Sequence, residues 1–125
     1  MKADQFIKDH GLERAREVVE GAPEGASHFM YDSELMVTDY LKHRPDVSEF
    51  SFDLWCGKYW GWKPFLRSKK RLDLPDLKRL VESVDLVNTF GGLKAAKSYV
   101  PDGYKSERLK QAIQDYESIY GEGNE

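Results

Sequence analysis

Between Lys58 and Arg71 the chain reads Lys-Tyr-Trp-Gly-Trp-Lys-Pro-Phe-Leu-Arg-Ser-Lys-Lys-Arg, with six cations and four aromatic residues and no acid. Two kinds of recognition use that mixture. Bases of single-stranded nucleic acid stack on aromatic faces while lysine and arginine neutralise phosphates, each stacked base contributing about 1–3 kcal/mol. Trp60 and Trp62 would be the platforms, and Lys63, Arg67, Lys69, Lys70 and Arg71 the neutralising charge. Alternatively, Trp, Tyr and Arg are the residues in which protein interfaces concentrate their binding energy, and the cations would complement an acidic rim on a protein partner. Trp55 and Tyr59 flank the same hairpin, so the candidate partner-binding residues are Trp55, Tyr59, Trp60, Trp62, Lys63, Arg67, Lys69, Lys70 and Arg71. A purely architectural use competes with both: the indoles pack beneath helices as a second core face, and the cations balance acidic flanks.

Charge patterning makes this stretch stand out. Residues 1–50 carry six Lys and Arg against eleven Asp and Glu, residues 51–72 six against one, and residues 73–125 seven against ten. The overall net charge is −3, which excludes a globally basic nucleic-acid binder and a strongly acidic nucleic-acid mimic. Enzymatic templates are missing. There is no GxxxxGK[ST], GxGxxG or HExxH, and one cysteine cannot form CxxC. His10, His28 and His43 are dispersed without clustered carboxylates, so no metal or cofactor is expected. Cys56 beside a turn reads as a small buried apolar residue, since a nucleophile would need a base nearby. The expectation is a protein that is not an enzyme. A solitary cysteine permits no internal disulfide, which points to a reducing cytoplasm. No apolar run approaches the roughly 18 residues of a membrane span, and the charged start MKADQFIKDHGLE is unlike a signal peptide.

The elements that must position these residues are led by a helix over Asp73–Phe90. Leu77, Leu80, Val81, Val84 and Val87 recur at helical spacing, Asp73 can cap the first turn, Pro75 fits inside it, and Gly91-Gly92 stop it. Residues 3–20 form a helix interrupted near Gly11, closed by Gly21. The segment 27–43 suits helix and strand about equally, with His28–Tyr31 favouring a short strand. Phe50, Phe52 and Leu54 alternate with polar residues as in a half-buried strand, and Gly57-Lys58 suits a two-residue hairpin turn. That turn pairs Cys56 with Tyr59, Trp55 with Trp60, Leu54 with Gly61 and Asp53 with Trp62. Phe50, Phe52, Leu54, Tyr59 and Phe65 then face the core, while Asp53, Trp55, Trp60 and Trp62 share the other side. Pro64 requires an edge strand or a strand end. A short helix follows from Leu93, and a last helix, capped by Ser106, carries Leu109, Ala112, Ile113, Tyr116 and Ile119 before giving way to a frayed tail over 119–125. Gly11–Val19 and Gly92–Val100 share Gly, Leu, Ala and a final Val in register, either by convergence on one helix-joining chemistry or by duplication of a helical hairpin.

At 125 residues with 40% hydrophobic residues the chain suits one domain spanning 1–125. The expected fold class is α+β, a small antiparallel sheet built on the hairpin of residues 50–65 and packed against amphipathic helices; an all-α domain is the alternative.

The segments QFIKDHGLERAREVVEGAP, LDLPDLKRLVESVDLVNTFGGLKAAKS and LKQAIQDYESIYG resemble small accessory proteins carried by lambdoid temperate phages and prophages of enteric bacteria, notably in Phe90–Lys97 and Ile113–Glu117. The likeness covers about half the chain and leaves residues 29–71 largely unmatched. It transfers no catalytic residue. What it implies is a setting, the bacterial cytoplasm during infection or lysogeny, where small phage proteins bind host or phage macromolecules. Joined to the basic aromatic stretch, the expected role is binding a host or phage protein, with single-stranded nucleic acid as the alternative partner of residues 58–71.

Overall fold

Residues 3–49, 51–65, 71–99 and 107–121 are described by a computed structural model. Helices α1 (Ala3–His10) and α2 (Leu12–Glu20) lead into strands β1 (His28–Asp32), β2 (Val37–His43), β3 (Phe52–Trp55), β4 (Trp62–Phe65) and β5 (Leu72–Asp73). Helices α3 (Leu74–Thr89), α4 (Leu93–Tyr99) and α5 (Glu107–Tyr120) complete the chain. The strands form one antiparallel sheet in the order β4-β3-β2-β1-β5, so the fold is α+β and the all-α alternative falls.

α3 is the helix that the apolar stripe requires. The Asp73 carboxylate accepts from the Asp76 N–H at 3.0 Å, Pro75 sits in the first turn, and Leu77, Leu80, Val81, Val84 and Val87 are buried. Past its end, Gly91 and Gly92 take φ values of 100° and 113°, a region that a side chain disfavours. The break between α1 and α2 at Gly11 is likewise left-handed, with φ 92°. Gly21 differs from expectation: its φ is −84°, within reach of any residue. What favours glycine there is proximity, since an added Cβ would lie 3.1 Å from both the Glu17 carbonyl and the Tyr40 hydroxyl, so that one of them would have to give way by a few tenths of an ångström.

Register settles the ambiguous segment 27–43 as two strands. Phe29 pairs with Tyr40 and with Leu72, placing all three on one side of the sheet. That side faces the helices: Phe6 of α1 meets Phe29 and Tyr31 edge to face at 5.3 Å each, and the Tyr40 hydroxyl donates to the Val18 carbonyl of α2 at 2.6 Å. Phe6, Ile7, Ala15, Val18, Phe29, Leu72, Leu77 and Val84 belong to the core so formed. A second cluster of Val87, Leu93, Ala96, Leu109, Ala112 and Ile113 joins α3, α4 and α5, and Tyr116 borders both. α5 also corrects the expected tail: Ile119 is buried and Tyr120 remains helical, because Ile119 continues the stripe of Ala112 and Tyr116 into the first cluster. The expected cap Ser106, residues 122–125 and Phe50 lie outside the described residues.

The side of the sheet away from the helices has apolar contacts of its own. Leu41 and Phe52 are buried there, and Phe52 is ringed by His28 at 5.2 Å, His43 at 4.9 Å and the Arg71 guanidinium at 4.9 Å. Burial holds the His28 imidazole below its ordinary value of 6.5, with Arg71 and His43 acting in the same direction and Asp73 opposing. A histidine whose folded value is depressed takes up its proton more readily when unfolded. Stability is therefore complete above about pH 6.5 and falls as the pH drops from there towards the folded value. Urea titrations between neutral and mildly acidic pH should show this decline, and His28→Asn should flatten it; an unchanged slope in the variant would assign the decline to other groups.

Candidate interaction surface

The hairpin of β3 and β4 closes through a loop different from the one its glycine-lysine pair suggests. The Cys56 N–H donates to the Gly61 carbonyl at 2.9 Å and the Gly61 N–H donates to the Gly57 carbonyl at 2.8 Å. Gly57 and Gly61, with φ of 95° and 68°, bracket the four-residue loop 57–60. The pairs are Trp55 with Trp62, Leu54 with Lys63, Asp53 with Pro64 and Phe52 with Phe65, so the expected two-residue turn and its register are corrected by a shift of two positions along β4. Side chains alternate with a period of two, so the shift leaves strand faces intact. Asp53, Trp55 and Trp62 still share a side, but it is the side turned towards the helices, with Tyr40, while Phe52, Leu54 and Phe65, expected to face the core, lie on the side away from them. Trp60 leaves the sheet for the loop, and Tyr59, expected on the core side with Phe52, is 89% exposed.

Trp55 and Trp62 are half-buried, with ring centroids 5.1 Å apart. They lie on the side of the sheet that carries Tyr40 and Lys42, and the Lys42 ammonium sits 5.9 Å from the Trp62 ring centroid. Both indoles fall outside the core cluster beneath the helices, so they form a shelf beside that layer. Beyond them the loop presents Trp60, 65% exposed, with its ring 5.4 Å from that of Tyr59 in an edge arrangement. Lys58 and Lys63 are exposed on either side. Lys63 projects opposite the indole shelf, with Leu54. Arg71 is drawn away to Phe52. Of the nine candidates, Trp55, Tyr59, Trp60, Trp62 and Lys63 therefore gather at one hairpin, Arg71 stands apart, and Arg67, Lys69 and Lys70 lie outside the described residues. Cys56, expected to be buried, is instead exposed, because it sits where β3 gives way to the loop, and its thiol donates to the Leu54 carbonyl at 3.5 Å.

Alternation of hydrogen bonding fixes the outer edge. Since Cys56 and Gly61 form a bonded pair, Asp53 and Pro64 fall in a non-bonded one, where backbone nitrogens point away from the partner strand. Pro64 thus stands on the free margin of β4, as its missing N–H requires. Its neighbour Asp53 is buried and paired with Arg44 at 2.9 Å, while Arg44 also grips Asp46 at 3.0 Å. Arg44 holds the Asp46 carboxyl below the usual carboxylate range. This bridge ties the 44–51 connection to the strand that carries Trp55.

A second polar feature lies between α3 and α5. Asp115 is 4% exposed and accepts from the Ser83 hydroxyl at 2.6 Å, from Gln111 at 3.0 Å and from Arg79 at 3.2 Å. Arg108 in turn donates to the Ser83 hydroxyl at 3.0 Å. The network borders an open depression of about 790 Å³, also lined by His28, Arg71 and Asp73. Its carboxylate is satisfied internally, so it serves to join two helices. Sequence reasoning missed it, although Asp115 and Ser83 stand at helical spacing within the stripes of α5 and α3, three positions from Ala112 and Leu80. Also missed are Leu35, Met36 and Val37, exposed at the turn between β1 and β2. Asp32-Ser33-Glu34 was their signal, a run that folds into a side-chain-capped turn in which Asp32 accepts from the Glu34 and Leu35 N–H groups at 2.9 and 3.1 Å.

Among the described residues no helix is long and apolar enough to cross a membrane, and no group of three or more His, Cys, Asp and Glu could hold a metal ion. Comparison with protein-family models, with curated proteins and with solved structures finds no match in any of the three.

Proposed function

We propose that the chain is a non-enzymatic accessory protein of a temperate phage or prophage, acting in the bacterial cytoplasm by binding a host or phage protein through the β3–β4 hairpin. The observation that carries this reading is the exposure of Tyr59 and Trp60 side by side on a loop whose ends are fixed by backbone hydrogen bonds. Large aromatic residues left in water on a braced loop are the usual anchors of protein interfaces, and their low rotamer freedom limits the entropy lost on docking. The half-buried Trp55–Trp62 pair stiffens the base of the loop. Acidic side chains at the neighbouring turn, Asp32 and Glu34, disfavour a phosphate backbone at this end and so favour protein over single-stranded nucleic acid.

A tagged chain used as bait in an enteric bacterial lysate should recover one stoichiometric partner. Trp60→Ala should lose it, with a cost of about 2 kcal/mol or more in affinity. Trp60 lies outside the core, so the variant should unfold at the wild-type denaturant midpoint. Equal recovery by the variant would remove this site. Salt-steep oligonucleotide binding with quenched tryptophan emission would transfer the hairpin to the nucleic-acid reading.

A further inference from the structure

The β3–β4 loop is one of two apolar tips at the same end of the sheet. β1, β2, β3 and β4 pair antiparallel in succession, so the β1–β2 turn at 33–36 and the loop at 57–60 leave in the same direction. Asp32 pairs with Val37 and Leu41 with Leu54; continuing that register brings Val37 level with Lys58, so the two tips stand at similar height. Strands are spaced about 4.8 Å apart, which separates the tips by two strands, about 10 Å. Leu35 and Met36 are 72% and 58% exposed at the first tip, as Tyr59 and Trp60 are at the second. Met36 has φ 55°, where Gly or Asn fits at lower cost, so the turn keeps an apolar side chain in water against its local preference.

The two tips differ in charge. Asp32, Glu34 and Asp39 are exposed around the first, Lys58 and Lys63 around the second. We propose that this end of the sheet is a self-complementary surface whose partner is a second copy of this chain, joined end to end in a twofold dimer. An axis along the sheet normal reverses the strand direction and exchanges left for right. It sets the acidic tip of each copy against the basic tip of the other, and brings Leu35 and Met36 of one towards Tyr59 and Trp60 of its mate. A foreign partner would have to carry the reversed pattern of acid and base, whereas this chain already does. The inference rests on reading the β3–β4 loop as a protein contact, and names what it contacts.

Sedimentation of the full chain across a concentration series at low salt tests it. The wild type should dimerise. Lys58→Glu and Glu34→Lys should each weaken the dimer about tenfold or more, since the axis counts each like-charge contact twice. An equimolar mixture of the two variants should recover a heterodimer, because both of its tip contacts again join opposite charges. Both substitutions sit on exposed turns, and unchanged circular dichroism will establish that each variant folds. A wild type that stays monomeric at millimolar concentration, variants that dimerise like the wild type, or a mixture that stays monomeric would each overturn the proposal. A monomeric wild type whose captured partner is lost with Trp60→Ala would overturn the dimer and leave the broader protein-binding reading standing.

Discussion

Phe6→Ala should lower the free energy of unfolding by about 3–5 kcal/mol, the cost of emptying a large aromatic site in a core. Phe6 is fully buried and meets Phe29 and Tyr31 edge to face, each ring 5.3 Å away, with His10 stacked at 4.8 Å in a tilted arrangement. α1 has only eight residues, too few to hold a helix without tertiary contacts. The truncation therefore removes both packing and the chief reason for α1 to form where it does. Urea denaturation followed by far-ultraviolet circular dichroism will measure it, and a midpoint close to wild type would mean that α1 contributes little to the fold. Phe6→Leu should recover part of the loss by refilling some of the cavity.

The second large effect belongs to Asp115. Asp115→Ala should cost about 2–3 kcal/mol, because the Ser83 hydroxyl is wholly buried and loses its acceptor. Arg79 moderates the loss: at 45% side-chain exposure it can turn to water. Asp115→Asn should be milder, since one amide oxygen can still accept from Ser83. A double variant with Ser83→Ala should recover part of the energy, by removing the stranded donor along with its acceptor. If the two losses simply add, Ser83 and Asp115 are not coupled.

The helices were legible in the sequence because each buries one side only. In α3 the stripe, the Asp73 cap and the terminating glycines all point to the same element, and it forms within a residue of the expected bounds. β2 was not legible, for the opposite reason. Tyr40 is engaged by α2 on one side and Leu41 is buried on the other, so consecutive apolar residues replace the alternation by which a half-buried strand is recognised. The hairpin shows a third situation. In the sequence Gly57 reads as the turn, while nothing sets Gly61 apart from a strand residue; both are left-handed, and only the two together define the four-residue loop. The grouping of residues by strand face withstood that error because the shift was even, but which group turns towards the helices is the reverse of the expectation, and the exposure of Tyr59 depended on the loop itself. Nothing in the local pattern announced Asp115 and Ser83 as partners, since their meeting depends on how α3 crosses α5.

Pro64 on the outer margin of β4 bears on how this chain fares when it is made in quantity. An unprotected sheet margin invites further strands to zip on, which is how newly made polypeptide coagulates into fibrils. With no amide hydrogen at Pro64 and the charged Lys63 beside it, such growth stalls after a residue or two on the β4 margin. The molecule can therefore leave sticky aromatic rings in water at its tip without seeding runaway polymerisation along the neighbouring β4 margin.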